Sequence, residues 1–321
     1  MPANPPYVFS AMRAYLTRRL VHSIIIIIGI SMVVFIISRI TGDPVSIMVD
    51  FTTPQEDREI IRKELGLDKP IPVQYLIFLM NAAKGDFGNS IRYEEPALDL
   101  VFQRIPATLR LLVFTIGWSL ILAIPIGIIS ALKRNSLFDL MGMAFTFIGQ
   151  SIPSFWLGIM MIMIVGVRFQ LLPISGYGDG DIAHIIMPAI TLGAFGMASF
   201  ARITRSSMLA VLDSDYIQTA RAKGLRETFV VIKHALRNAL IPIVTILGLQ
   251  IAGLLGGAVI TEQIFAYPGV GWLAVQSIYN RDFPVIQAIV MVVSIGVVAT
   301  NFLIDIIYTL IDPRIRYDKG K

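Results

Sequence analysis

Apolar runs long enough to cross a bilayer recur along this chain, and no other feature constrains its fold as strongly. A helix needs about 20 apolar residues to span the hydrocarbon core. The first run holds "IIIIIGISMVVFII" at residues 24–37. The pattern predicts six spans, at about 18–38, 107–132, 140–166, 187–210, 239–261 and 285–310. Lipid cannot satisfy free backbone groups, so each span is expected to be helical. The expected fold class is therefore an all-α polytopic membrane protein with six transmembrane helices. Composition agrees: 15% of residues are charged and the mean hydropathy is +0.72, whereas soluble domains carry about 25% charged residues. No small-residue cleavage site follows the first run, which reads as a retained span. The chain has no cysteine, which excludes disulfides and thiolate metal sites. Its three histidines, His22, His184 and His234, are scattered, so no metal site is expected.

Basic residues set the orientation. Residues 1–19, the 133–139 link, the 202–237 stretch and the tail carry 16 lysines and arginines against six acids. The segments 39–106, 167–186 and 262–284 carry ten basic residues against 15 acids. Cationic loops stay cytoplasmic, so both termini are expected inside. The expected organisation is a cytoplasmic N-terminus at 1–17, a permease domain at 18–310 and a cytoplasmic tail at 311–321. Within that domain, 41–106 forms an external cap, 211–237 a cytoplasmic loop and 262–284 an external loop.

The cap carries a helix signal in "PQEDREIIRKELG", where Pro54 suits a start and Gly66 a stop. "VQYLIFLMNAA" is too short to span and is expected to lie on the membrane surface or pack on the bundle. In the 262–284 loop, Tyr267-Pro268 predicts a turn, followed by a helix from about Gly271 to Tyr279.

Catalytic signatures are missing. The sequence has no GxxxxGK[ST] phosphate loop, no HExxH and no GxSxG. Asp305 is the clearest ionisable residue in a span, near the end of the sixth, with Arg314 and Arg316 close in sequence. Without a relay of buried acids and histidines, proton-coupled transport is disfavoured. The chain reads as a path or a scaffold whose energy comes from elsewhere.

The charged stretch "DSDYIQTARAKGLR" at 213–226 interrupts the apolar pattern. Asp215 has N-cap chemistry, with Gln218 three residues on. Gly224 suits the position after a helix end. These brackets predict a helix of about two turns at 216–223. Leu212, Tyr216, Ala220 and Gly224 stand at i, i+4 spacing and share a face, while Arg221 and Lys223 point elsewhere. So short a helix needs a surface to lie on. A solvated loop, a lipid headgroup contact and a docking helix for another protein all remain open from the residues alone.

At these residues the chain resembles the permeases of ABC importers. Their cytoplasmic loop carries an EAA motif, three residues and a glycine. Here the motif stands as Gln218-Thr219-Ala220, Arg221-Ala222-Lys223 and Gly224, with Leu225 following, and its first two letters depart from the pattern. "DYIQTARAKGL…HALRNALIP" is similar to the form in the dipeptide, oligopeptide, glutathione and nickel permeases. "TGDP", "ELGLDKPIPVQY", "GDFGNSI", "SIPSFWLG", "LPISG", "RITRSSML", "FAYPGVG", "RDFPVIQ" and "DPRIRY" match that branch in order. The resemblance is to the first of the two permeases in such systems.

The resemblance implies a type I importer permease, half of a heterodimeric pore, with no catalysis of its own. It implies a second homologous permease and two cytoplasmic ATP-binding subunits. These would bind ATP and magnesium, leaving no cofactor in this chain. It also implies an external substrate-binding protein, a lipid bilayer around the spans, location in the cell's inner membrane and no nucleic acid. Asp215, Tyr216, Gln218, Thr219, Ala220, Arg221, Gly224 and Leu225 would couple to an ATPase. Peptides are the expected substrate, with nickel, glutathione or oligosaccharides as alternatives; a self-contained secondary transporter and a purely structural subunit are the competing classes.

Small residues at Gly253 and Gly257, with Thr245, Gln250 and Glu262, are the candidates for the translocation path and gate. Ala194 and Ala198 offer a similar small-residue spacing, read mainly as packing. Tyr267, Pro268, Gly269, Trp272 and Arg281 are the candidates for contact with the binding protein.

Overall fold

A computed structural model describes residues 5–41, 45, 49, 54–64 and 66–311. Among these the secondary structure is helical, apart from one isolated bridge between Asn89 and Pro96. The tail residues Arg314 and Arg316 and the side chain of Asp305 lie outside the described set.

The chain divides into two compact units. The first holds α1 (Pro5–Thr41), α2 (Gln55–Glu64), α3 (Ile71–Ala82) and the early part of the last helix. Helix α2 begins just after Pro54, and Gly66 takes φ +64° two residues beyond its end. Leu67 N donates to Arg62 O at 2.8 Å, closing a left-handed helix stop. Helix α3 packs on α1: Tyr75 Oη donates to Ile28 O at 3.0 Å and lies 2.8 Å from Ser31 Oγ. Phe35, Tyr75 and Phe78 surround that contact with ring centroids 5.4–6.2 Å apart. In the same unit, buried Asp282 accepts from Ser90 Oγ at 2.5 Å and from Ile91 N at 3.3 Å, tying the 89–96 turn to the start of the last helix.

The second unit runs from Pro106 to Trp272 and includes Ala299–Pro313. It contains most of α4 (Ala97–Leu132), then α5 (Leu137–Ser151) and α6 (Ser154–Met161), which continues as a π-helical turn to Arg168. Helix α7 (Ala183–Leu212) follows, then α8 (Asp215–Ala222). Helix α9 begins at Glu227–Phe229, passes through a π-helical turn at Val230–Leu236 and continues as Arg237–Gly257. Helices α10 (Val259–Ile264) and α11 (Val270–Tyr279) precede α12 (Phe283–Ile311).

Helix α7 is the hub of this unit, because glycine lets neighbours approach it. At Gly127 of α4 an added Cβ would lie 2.7 Å from Ala201 O. At Gly193 it would meet Ser119 and Trp118, which donate to α7 carbonyls at 3.1 and 2.8 Å. Ala194 and Ala198 are buried, as their spacing predicts.

Among the described residues, five helices are long and apolar enough to cross a membrane, or six if a bent pair counts as one span. That pair covers the third span expected at 140–166 and breaks it into two helices. Helices α5 and α6 meet at 98°. Pro153 caps α6, and as a proline it has no amide to offer a continuing helix. The fifth span also ends earlier than expected: a turn at Ala258 separates Gly257 from α10, so Thr261 and Glu262 belong to a separate short helix.

Candidate functional site

Helix α8 leaves α7 after a two-residue break at Asp213 and Ser214. Its N-cap is Ser214, in extended backbone, whereas the sequence pointed to Asp215. The Ser214 hydroxyl turns back to Val211 O at 2.5 Å and caps no α8 amide; Asp215 is the first helical residue, where its charge suits the helix dipole. Gly224 takes φ +74°, the left-handed conformation expected of it, and Gly224 N donates to Arg221 O at 2.9 Å.

The face of α8 needs correction. Ala220 does not lie on an outward surface with Tyr216. Ala220 and Ile217 are buried in a core with Met208 and Leu212 of α7, Ala131 of α4 and Val231 and Ala235 of α9. Ile217, which the i, i+4 reading passed over, anchors the helix. Tyr216, Gln218, Thr219, Arg221, Gly224 and Leu225 are exposed, as is Asp215. Two ties brace α8 to α9: Asn238 Nδ2 donates to Tyr216 Oη at 2.7 Å, and Arg221 forks onto Glu227 at 2.7 and 3.2 Å. Glu227 raises the pKa of Arg221 by stabilising its charged form. About two turns before the end of α7, Arg205 holds Asp139 of α5 through two bonds of 2.7 Å, and Asn135 N also donates to that carboxylate.

The expected path residues do not form one cluster. Thr245 is exposed and donates to Ile241 O at 3.1 Å. Gln250 is half-buried and faces Gly196 of α7. Gly253 is exposed, with open space where a Cβ would stand, so it mediates no close helix contact among the described residues. Gly257 is the last residue of α9.

Glu262 is not a lining residue. It is fully buried and organises the loop after α10. Thr108 Oγ1 of α4 donates to Glu262 Oε1 at 2.9 Å, and Trp272 N donates to Oε2 at 2.8 Å. Burial pushes the Glu262 carboxyl above its ordinary range, and the bonds from Trp272, Thr108 and Gly271 partly offset that. Tyr267 is also buried, against Tyr177 with ring centroids 5.4 Å apart, and Gly269 is buried beside Glu262. Tyr267 and Gly269 therefore shape the loop from within. Pro268 and Trp272 are half-buried, and Arg281 is exposed at φ +53°. Ile278 and Tyr279, 60% and 81% exposed, are surface residues that the sequence reading did not single out.

The family described as "Binding-protein-dependent transport system inner membrane component" matches residues 123–317, and its N-terminal companion matches 12–112. The chain belongs to this family. The oligopeptide transport system permease protein AppB of Bacillus subtilis is 44% identical, covering 95% of this chain and 100% of AppB. The dipeptide permease DppB of Escherichia coli K12 is 39% identical over 96% of this chain and all of DppB. The glutathione permease GsiC of Pectobacterium atrosepticum is 41% identical over 94% and 99%. Among solved structures, a chain of the inward-facing MetNI methionine ABC transporter covers 66% of this chain and 96% of its own length, with a TM-score of 0.57 at 20% identity. The family and the fold agree: this is an inner-membrane component of a transport system, with the helical architecture of an ABC importer permease.

Proposed function

We propose that the chain is one half of the translocation path of an ATP-driven importer for di- or oligopeptides, non-catalytic in itself. The observation that carries this is α8: a short helix pinned to its own chain by Ile217 and Ala220, yet presenting Tyr216, Thr219 and Leu225 outward. A helix of eight residues is marginal alone. Held this firmly, it suits a cleft on another protein. That protein is an ATP-binding subunit carrying ATP and magnesium, one of two. A second permease completes the pore, and an external binding protein delivers the substrate to the 262–284 side. In this orientation both termini and α8 are cytoplasmic. Peptides are favoured because AppB and DppB, named for oligopeptide and dipeptide transport, match over their whole length. Within the loop, Ile278, Tyr279 and Arg281 supply the exposed surface for the binding protein.

The test is reconstitution of the full complex in liposomes with labelled dipeptide, glutathione or nickel inside separate assays. ATP-dependent dipeptide uptake supports the reading. Uptake of nickel or glutathione alone reassigns the substrate. Replacing Tyr216 and Leu225 together by serine should release the ATPase subunits; a variant that keeps them and transports normally sinks the docking role of α8.

A further inference from the structure

The amides that open α11 converge on one carboxylate. Trp272 N donates to Glu262 Oε2 at 2.8 Å, and Gly271 N bonds the same carboxyl group. Val270 N donates to Thr108 Oγ1 at 2.8 Å, and the Thr108 hydroxyl donates onward to Glu262 Oε1 at 2.9 Å. The first amides of a helix have no partners within it. Here a side chain from α10 and a hydroxyl from α4 supply them. The positive end of a helix dipole favours an anion there.

The glycines of "YPGVG" belong to the same arrangement. A Cβ at Gly269 would overlap Glu262 Oε1, and one at Gly271 would lie 2.8 Å from Val259 Cα. The backbone wraps the carboxylate so closely that a side chain at either position has no room.

We infer that Glu262 is a positioning residue for transport: through Thr108 it fixes the start of α11 to α4 and holds the 265–272 loop in its receiving shape. The inference rests on the proposal that this loop faces the delivering protein. A leucine of similar size could fill the space but would leave three amides or hydroxyls without an acceptor. The device is therefore directional, where simple packing is not.

It is also sensitive to pH, in a definite sense. The buried carboxyl binds a proton more tightly than an exposed one, whose ordinary pKa is 4.5. Its contribution to loop order is full below that value and declines as pH rises through the raised value. The titratable group coupled to it is Tyr267 in the loop, which in turn is influenced by Tyr177 before α7 and Arg110 on α4.

Amide exchange on the complete transporter, with both permeases and both ATPases, tests this in three variants. Glu262→Leu should raise exchange at 270–272 by about tenfold or more and raise the KM for loaded binding protein more than it lowers kcat. Glu262→Gln keeps an acceptor and a donor, so it should stay within about threefold of the parent in both measures. Corrected for intrinsic rates, parent protection should fall as pH rises, while Glu262→Gln should show a flat profile. Thr108→Val, the milder change, should free Val270 alone. Unchanged protection in Glu262→Leu, or equal loss in Glu262→Gln, overturns the latch. Lost protection with an unchanged KM leaves the latch standing and removes the loop from contact with the delivering protein, so the two readings fail separately.

Discussion

Gly224 shows what a single residue can be asked to do. Its φ of +74° is unfavourable for any side chain, yet an added Cβ there meets nothing within 4 Å. The cost of replacement is conformational, about 1 kcal/mol for alanine. Gly224→Asn, which tolerates the left-handed region, should retain coupled uptake, and Gly224→Val should lose it; equal uptake by both would deny the geometry a role. At Gly269 the cost is steric instead. Gly269→Ala should destabilise the loop by about 1–3 kcal/mol, read as a lower melting temperature of the complex and faster exchange at 265–272. The glycine stops at Gly66 and Gly224 were legible in the sequence because turn chemistry is local. The role of Glu262 was not, because Thr108 stands 154 positions away. Nor was the burial of Ala220: the i, i+4 ladder from Tyr216 names neighbours on a helix without saying which face meets the protein.

At the scale of elements, the spans were legible and their breaks were not. A single apolar window covers α5 and α6, and the 98° bend falls where Ile152 and Pro153 take extended backbone between them. The 89–96 turn is another such case. Its order depends on Asp282, which is remote in sequence and 1% exposed. Asp282→Ala should leave Ser90 Oγ and the Ile91 amide unsatisfied at about 1–3 kcal/mol each. Limited proteolysis should then cut near 89–96 in the variant and spare the parent. Helix α8 depends in the same way on Ile217. Ile217→Ala should loosen it by about 2–4 kcal/mol, giving ATP hydrolysis without matching uptake; tight coupling in that variant would mean that the helix is held by its partner instead.

Across the whole molecule, burial is uneven. The apolar window of α7 is 61% buried within the chain, while those of the other single-helix candidate spans are 11–28% buried. Lipid and partner subunits must cover most of what those helices expose. Co-expression with the second permease should therefore raise the melting temperature and reduce aggregation in detergent. A chain equally stable alone would argue against a shared pore.

Helix α7 has 30 residues and continues into α8 after only two more, so it amounts to a stiff rod about 45 Å long. A tilt of about 5° at its α8 end would move the far end by roughly 4 Å. Arg205 sits near the α8 end and grips Asp139 of α5, and in the proposed complex that grip would serve as a fulcrum. The stroke available to the proposed pore would then be set by where along the rod that fulcrum stands. In the proposed complex, force applied at a helix of eight residues would become displacement across the thickness of a membrane.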